Sequence, residues 1–304
     1  MQPHAYARST MDIRRHAGGG PSGLAGKRAL LVVVALAAAA LSAAPTLAAA
    51  TSKTVRIPFS SSGAITLETG VQTPDGPGPF PVVVLSHGDP RSTDNRPKMH
   101  PFNEYAGLRA FLVARGYAII IPMRRGFGDS DGQYSEGYGS CDNADYVKAG
   151  RATADDINAA VRYARTQSFA DATRIVLIGH SGGGFGSIAE ASRHPDGVVA
   201  VVNFAGGRGS QKSDQDCDPD ALVQAMATFG QQVQMPSLWI YAENDHFFPP
   251  TIAKAMFAAF VAGSPQAQFA APPASGNDGH SLINTTTFWP DVVDAFLKKT
   301  VLPH

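Results

Sequence analysis

The stretch Arg174-Ile-Val-Leu-Ile-Gly-His-Ser-Gly-Gly-Gly-Phe-Gly186 offers the clearest chemistry in the chain, because it frames Ser181 in a G-x-S-x-G pattern. Its first half is apolar and rich in β-branched residues, the pattern of a buried strand, and Phe185 to Ser192 reads as a helix. Strand, sharp turn and helix are the setting in which a serine hydroxyl is pushed clear of a sheet as a nucleophile. Five-residue patterns with two glycines recur by chance, and it is the flanking strand and helix that make this one specific. A serine hydroxyl is a weak nucleophile. It needs a base, and the base needs an orienting acid.

Nine histidines compete for the role of base. His4 and His16 fall in the first fifty residues, His180 lies inside the serine turn, His194 follows a helix and His304 is terminal. His100 sits in a polar loop, His87 in an early turn, and His246 beside the candidate acids. His280, in Gly276-Asn-Asp-Gly-His-Ser281, comes just after the last expected strand on a glycine-flexed turn, where a base can swing toward the serine. The acid should follow a late strand. Leu238-Trp-Ile-Tyr-Ala242 ends in Glu243-Asn244-Asp245, which leaves Asp245 and Glu243 as candidates, while Asp278 is too near His280 along the chain to support its ring. An oxyanion needs two backbone N–H donors. Gly182, directly after the serine, supplies one. Asp89, after His87-Gly88, supplies the other through its N–H alone, since an inward carboxylate would oppose the negative charge; the plainer reading of that segment is a tight turn.

These groups need a scaffold. Thr54–Phe59 and Ile65–Thr73 alternate as two opening strands of an antiparallel edge, and Phe80–Ser86, Tyr117–Pro122, Gly197–Phe204, Pro236–Ala242 and Ala267–Ala271 read as further strands. Helical patterns lie between them: from Asn103 to the Gly116 cap, from the capping box at Thr153, from Asp218-Pro219 through Gly230, over Thr251–Val261, and from Pro290 with Val292, Val293, Phe296 and Leu297 on one side. The alternation predicts an α/β fold, a mostly parallel sheet with helices on both faces. The glycine-rich stretch Arg124–Gly150 reads as a long functional loop, and 205–218 as one too short for a large cap domain.

The first fifty residues stand apart. Lys27 and Arg28 precede the apolar run Ala29–Leu41 and small residues up to Ala48-x-Ala50, which reads as a secretory signal peptide; an uncleaved anchor is the competing reading. Residues 51–304 then form the catalytic domain, with 20 basic and 24 acidic residues. A net charge of −4 gives no footprint for nucleic acid or an anionic membrane. Outside the cytoplasm the only two cysteines, Cys141 and Cys217, are expected to pair, and neither has the spaced companions of a metal site. No P-loop is present, the glycines of Gly126–Gly132 are wrongly spaced for a dinucleotide, and Asp214–Asp220 carries Pro219 where a calcium loop requires glycine.

Taken together, Gly179-His-Ser-Gly-Gly183, His87-Gly88, Arg124-Arg-Gly-Phe-Gly-Asp-Ser-Asp-Gly132, Asn244-Asp245 and Asp278-Gly-His280 resemble the α/β-hydrolase superfamily, in particular its dienelactone hydrolase-like and prolyl-oligopeptidase-like branches. The resemblance covers nearly all of residues 54–298 and implies a triad of Ser181, Asp245 and His280. Position also favours Asp245, which lies far enough past its strand to turn toward the next loop. Dienelactone hydrolases proper use a cysteine nucleophile; serine here points to ordinary carboxylic esters, small or polymeric, cleaved outside the cytoplasm without a cofactor or metal. The competing expectations are a peptidase, which in the oligopeptidase pattern carries a gating domain, and an idle hydrolase fold used for binding.

Overall fold

A computed structural model describes residues 50–301; the expected signal peptide lies outside the described residues, apart from its last residue, Ala50. In chain order the main elements are β1 (Ala50–Pro58), β2 (Thr66–Pro74), β3 (Phe80–Ser86), α1 (Ala106–Val113), β4 (Ala118–Pro122), α2 (Tyr146–Ala164), β5 (Ala170–His180), α3 (Gly182–Ala191), β6 (Val198–Phe204), α4 (Pro219–Gly230), β7 (Ser237–Ile240), α5 (Pro250–Val261), β8 (Ala267–Ala270) and α6 (Trp289–Thr300). The eight strands form one sheet in the order β1-β2-β4-β3-β5-β6-β7-β8. β1 pairs antiparallel with β2, and β2 with β4; every other pair is parallel.

The central strands are apolar on both faces because both faces are covered. Val82, Val84, Ile120, Leu177, Val201 and Trp239 pack against α2, α3, α4 and α5. The alternate residues Val83, Leu85, Ile119, Ile121, Val176 and Ile178 pack against α1 and α6. Full burial stabilises by about 1.5–3 kcal/mol per large aliphatic side chain, so the apolar runs fix both the register and the two-sided cover. Parallel strands also send their carboxyl ends to a single edge, where the following loops must carry the chemistry.

Several boundaries differ from the sequence reading. β1 starts four residues early, at Ala50 paired with Pro74, so the last residue of the expected leader is the first of the sheet. α2 starts at Tyr146 rather than Thr153, because the Asp145 carboxylate accepts the Lys148 N–H at 2.8 Å and caps it there. The stretch 124–150 is therefore shorter as a loop and contains a two-stranded ribbon, Gly139–Ser140 with Asn143–Ala144. A second ribbon, Ser210–Lys212 with Gln215–Asp216, orders the 205–218 segment. α3 begins at Gly182, three residues before the expected Phe185. In α6, Val292 is 37% exposed while Val293, Phe296 and Leu297 are buried, so the apolar stripe is narrower than the pattern suggested.

Candidate active site

β5 ends at His180 and α3 begins at Gly182, which leaves Ser181 alone to reverse the chain. Its backbone has φ 53° and ψ −124°, a conformation that costs a non-glycine residue roughly 1–3 kcal/mol and persists only where neighbours over-determine it. They do so here: Ser181 N donates to the Phe204 carbonyl at 3.0 Å, and the Ser181 carbonyl accepts from Phe185 N at 3.0 Å. The tight packing also accounts for two glycines. A Cβ on Gly179 would strike the Gly183 backbone, and one on Gly183 would strike the carbonyl oxygens of Ser86 and His87.

His280 follows β8 on a 3-10 turn, Gly279–Asn284. Its Nδ1 lies 3.2 Å from both Asp245 carboxylate oxygens, which selects the tautomer with hydrogen on Nδ1 and leaves Nε2 as a base. Asp245 Oδ1 also accepts from Phe247 N and Phe248 N, each at 2.9 Å, and the residue is 1% exposed. Phe247 stacks on the imidazole with centroids 4.5 Å apart. Asp278, expected to be too close to serve the ring, serves the backbone instead: it accepts from His280 N at 3.0 Å and His246 N at 3.2 Å. Glu243 is exposed. Ser181 and His280 line one cleft of about 390 Å³, together with Asp89, Arg208, Phe247 and Phe248.

Of the two expected oxyanion donors, Gly182 opens α3, where backbone N–H groups have no helical partner. Asp89 stands against it, close enough that a Cβ on Gly182 would contact the Asp89 carboxylate. That carboxylate is engaged by Arg208 Nη1 at 2.9 Å and Arg124 Nη2 at 3.1 Å. Burial raises its pKa, but the two guanidiniums more than offset this and hold it below the usual carboxylate value. Beneath it Glu136 bridges the same arginines, at 2.5 Å from Arg124 Nε and 2.6 Å from Arg208 Nη2. Sequence reasoning missed this cluster. Arg124 stood in a quoted motif, but Glu136 and Arg208 sit in loops whose folding together no local pattern announces.

Cys141 and Cys217 form a disulfide with Cα atoms 4.9 Å apart. It ties the 139–144 ribbon to the end of the 210–216 ribbon, whose Ser210, Gln211 and Lys212 line the cleft. The acidic run read as a solvated loop is more built than expected. Asp214 pairs with His246 at 3.1 Å, and Asp218 caps α4. Half-buried Asp216 has a pKa pushed up to about 6 by burial and by the charges of Asp245 and Asp214. Among the described residues one group has metal-ligand types, Glu68, His100 and Asp129, with atoms within 4.8 Å of one another; none of them lines the cleft. No helix among the described residues is long and apolar enough to cross a membrane.

The model of the X-Pro dipeptidyl-peptidase (S15) family matches residues 62–247, more than half of the chain, including Ser181 and Asp245. The chain belongs to that family. This S15 member is 28% identical over 133 residues to dipeptidyl aminopeptidase BIII of Pseudoxanthomonas mexicana, a match covering 42% of the chain but only 16% of that longer protein. In structure it is similar to an esterase of Pyrococcus furiosus (TM-score 0.60, 16% identity, 83% of this chain and 91% of the other). It is also similar to a Klebsiella pneumoniae protein assigned as a dienelactone hydrolase (0.56, 16%, 84% and 100%) and to the acylaminoacyl peptidase of Pyrococcus horikoshii (0.61, 16%, 84% and 42%). The S15 member is thus a serine hydrolase of the α/β-hydrolase fold, with esterases and peptidases among its structural neighbours.

Proposed function

We propose that the protein is an exported carboxylic ester hydrolase working through an acyl-serine intermediate. The observation that carries the reading is the His280 ring, oriented by buried Asp245 in the cleft that Ser181 lines. His280 takes the Ser181 proton as the hydroxyl attacks the ester carbonyl, returns it to the leaving alcohol, and then activates the water that releases the acid. The Gly182 and Asp89 N–H groups hold the oxyanion. With the Asp89 carboxylate neutralised by two arginines, the acid expected to disturb the hole carries little free charge. Export is supported by the disulfide, a bond at home in oxidising compartments.

A second reading is favoured by the family match: a peptidase releasing dipeptides. Such a substrate presents a free α-ammonium, and the Glu104 carboxylate lining the cleft offers it a partner. A panel of p-nitrophenyl esters from acetate to palmitate, beside X-Pro p-nitroanilides, separates the two. The ester reading expects turnover of esters and little of anilides, and the reverse would establish the peptidase. Failure of Ser181 to react with a fluorophosphonate would sink both and leave a binding role.

A further inference from the structure

His180, next to the nucleophile, is not used by the chemistry above, yet both its ring nitrogens are committed. Nε2 lies 2.8 Å from the His280 carbonyl oxygen, which can only accept, so Nε2 carries the hydrogen. Nδ1 is then an acceptor, and it lies 3.1 Å from the Tyr105 hydroxyl. That hydroxyl accepts from Gly88 N at 3.1 Å and is free to donate its own hydrogen to His180. One directed chain therefore runs from Gly88 N–H through Tyr105 O–H and His180 Nε2–H to the carbonyl of His280. It starts in the loop that carries the Asp89 N–H and ends on the backbone of the base.

We infer that Tyr105 and His180 are positioning residues that hold the oxyanion loop and His280 in register across Ser181. The inference rests on the serine hydrolase reading of the site. One other contact spans the two ends, and it lies at the surface: Arg91 of the loop, 72% exposed, is 3.7 Å from the Asp278 carboxylate and sits over the Phe247 ring. The other supports serve one end each. On the loop side, His87 Nε2 accepts from Arg124 N at 3.2 Å while its Nδ1 donates to the Gly88 carbonyl at 2.8 Å. On the base side, Asp278 holds His280 N and Asp245 holds the ring. The Tyr105–His180 chain is the buried hydrogen-bonded link between the two, and it passes beside the nucleophile: a Cβ on Gly88 would lie 3.0 Å from His180 Nδ1 and 3.1 Å from Ser181 Cβ. The link suits a cycle in which His280 gains and loses a proton. Burial, and then the neighbouring His280, bring the His180 pKa down to about 3, so His180 stays neutral and its hydrogen-bond direction does not reverse when His280 becomes charged. Tyr105 is itself locked, at φ 57° ahead of α1 and 3% exposed.

The test uses the purified full chain and two readouts: the second-order rate of Ser181 labelling by a fluorophosphonate, and kcat and KM for p-nitrophenyl acetate. Tyr105→Phe keeps the ring and loses the hydroxyl; His180→Leu breaks both bonds; His180→Gln keeps one donor and one acceptor. Tyr105→Phe and His180→Leu are each expected to slow labelling and kcat by about tenfold with KM within twofold, the scale of leaving one buried partner unmade. His180→Gln is expected to keep most of the rate, and the Tyr105→Phe/His180→Leu double variant to be no slower than the worse single, because the residues act as one unit. Labelling of Tyr105→Phe at the wild-type rate, multiplying losses in the double variant, or equal losses in His180→Gln and His180→Leu would overturn the relay while leaving the serine hydrolase intact. If Tyr105→Phe does not fold, the two His180 variants decide. A wild-type chain that does not label removes the reading beneath the relay instead.

Discussion

Arg208 and Glu136 form an ion pair shut away from solvent, with Nη2 2.6 Å from Oε2 and side chains 3% and 0% exposed. Arg124, itself 0% exposed, meets the same carboxylate at 2.5 Å, and Asp89 supplies the second negative charge to both arginines. Two cations and two anions thus neutralise one another in and beneath the wall of the cleft, which Asp89 and Arg208 line. Replacing such a set by apolar groups can be neutral; removing one member leaves a charge without compensation. Glu136→Gln is therefore expected to lower stability by about 3–5 kcal/mol, read as a shift of the urea midpoint. An unchanged midpoint would mean that the arginines do not depend on Glu136 for compensation.

The acid proposed to serve His280 can be separated from its neighbour by two variants. Asp245 is buried with both oxygens 3.2 Å from His280 Nδ1, whereas Glu243, two residues earlier, is exposed. Asp245→Asn puts an amide where the acceptor must be and favours the wrong imidazole tautomer; kcat is expected to fall by about 10⁴, the scale of the corresponding change in serine proteases. Glu243→Gln is expected to cost tenfold or less, roughly, because a solvated carboxylate makes no bond to the base. Both are measured on one activated ester at saturation. The opposite ranking would move the role to Glu243.

What could be read from the sequence divides along a physical line. The placement of Ser181, Gly182, Asp245 and His280 at one edge of the sheet was legible because each comes after a strand, and apolar strands announce themselves by composition. The paired faces of the sheet were legible for the same reason. The Arg124–Glu136–Arg208–Asp89 cluster and the Tyr105–His180 chain were not, since each draws on stretches of the chain far apart in sequence that meet only through the tertiary fold. The start of α2 was misplaced by a competition between two caps. Thr153 matched the capping-box pattern, but in the structure its hydroxyl donates back to the Ala149 carbonyl inside the helix, and Asp145 holds the end.

The disulfide joins residues 76 apart, and the ribbon it anchors forms one wall of the cleft. A cross-link over such a span stabilises by about 4 kcal/mol in the chain-entropy model, before any native strain is subtracted. The Cys141→Ser/Cys217→Ser protein is expected to unfold at lower denaturant, with a smaller shift if its denatured chain retains structure. Because Lys212 and Gln211 lie on the freed ribbon, KM for a given ester is also expected to rise more than kcat falls. Wild-type kinetics in this double-serine variant would show that the ribbon keeps its place through other contacts, such as Asp214 N to the His246 carbonyl at 2.7 Å.

Glu190, on the helix behind the nucleophile, gives a pH signature. Its side chain is 0% exposed; Oε1 accepts from Asn158 Nδ2 at 2.5 Å, while Oε2 has no hydrogen-bond partner and only Arg193 Nη1 at 3.6 Å. Burial, opposed in part by Asn158 and Arg193, pushes its pKa up to about 7 from 4.5. The folded protein therefore keeps the Glu190 proton at pH values where the unfolded chain has released it. Stability from this group is complete below about pH 4.5 and is lost as pH rises through 7, by up to about 3 kcal/mol. Asp156 and Asp216, both raised to about 6, slope the same way, so the quantity to read is the difference between variant and parent. Glu190→Gln carries no ionisable proton. It should be close to the parent in stability at pH 5 and the more stable protein at pH 8, by urea midpoints at both values. A difference that stays constant between pH 5 and 8 would show that Glu190 ionises normally in the fold.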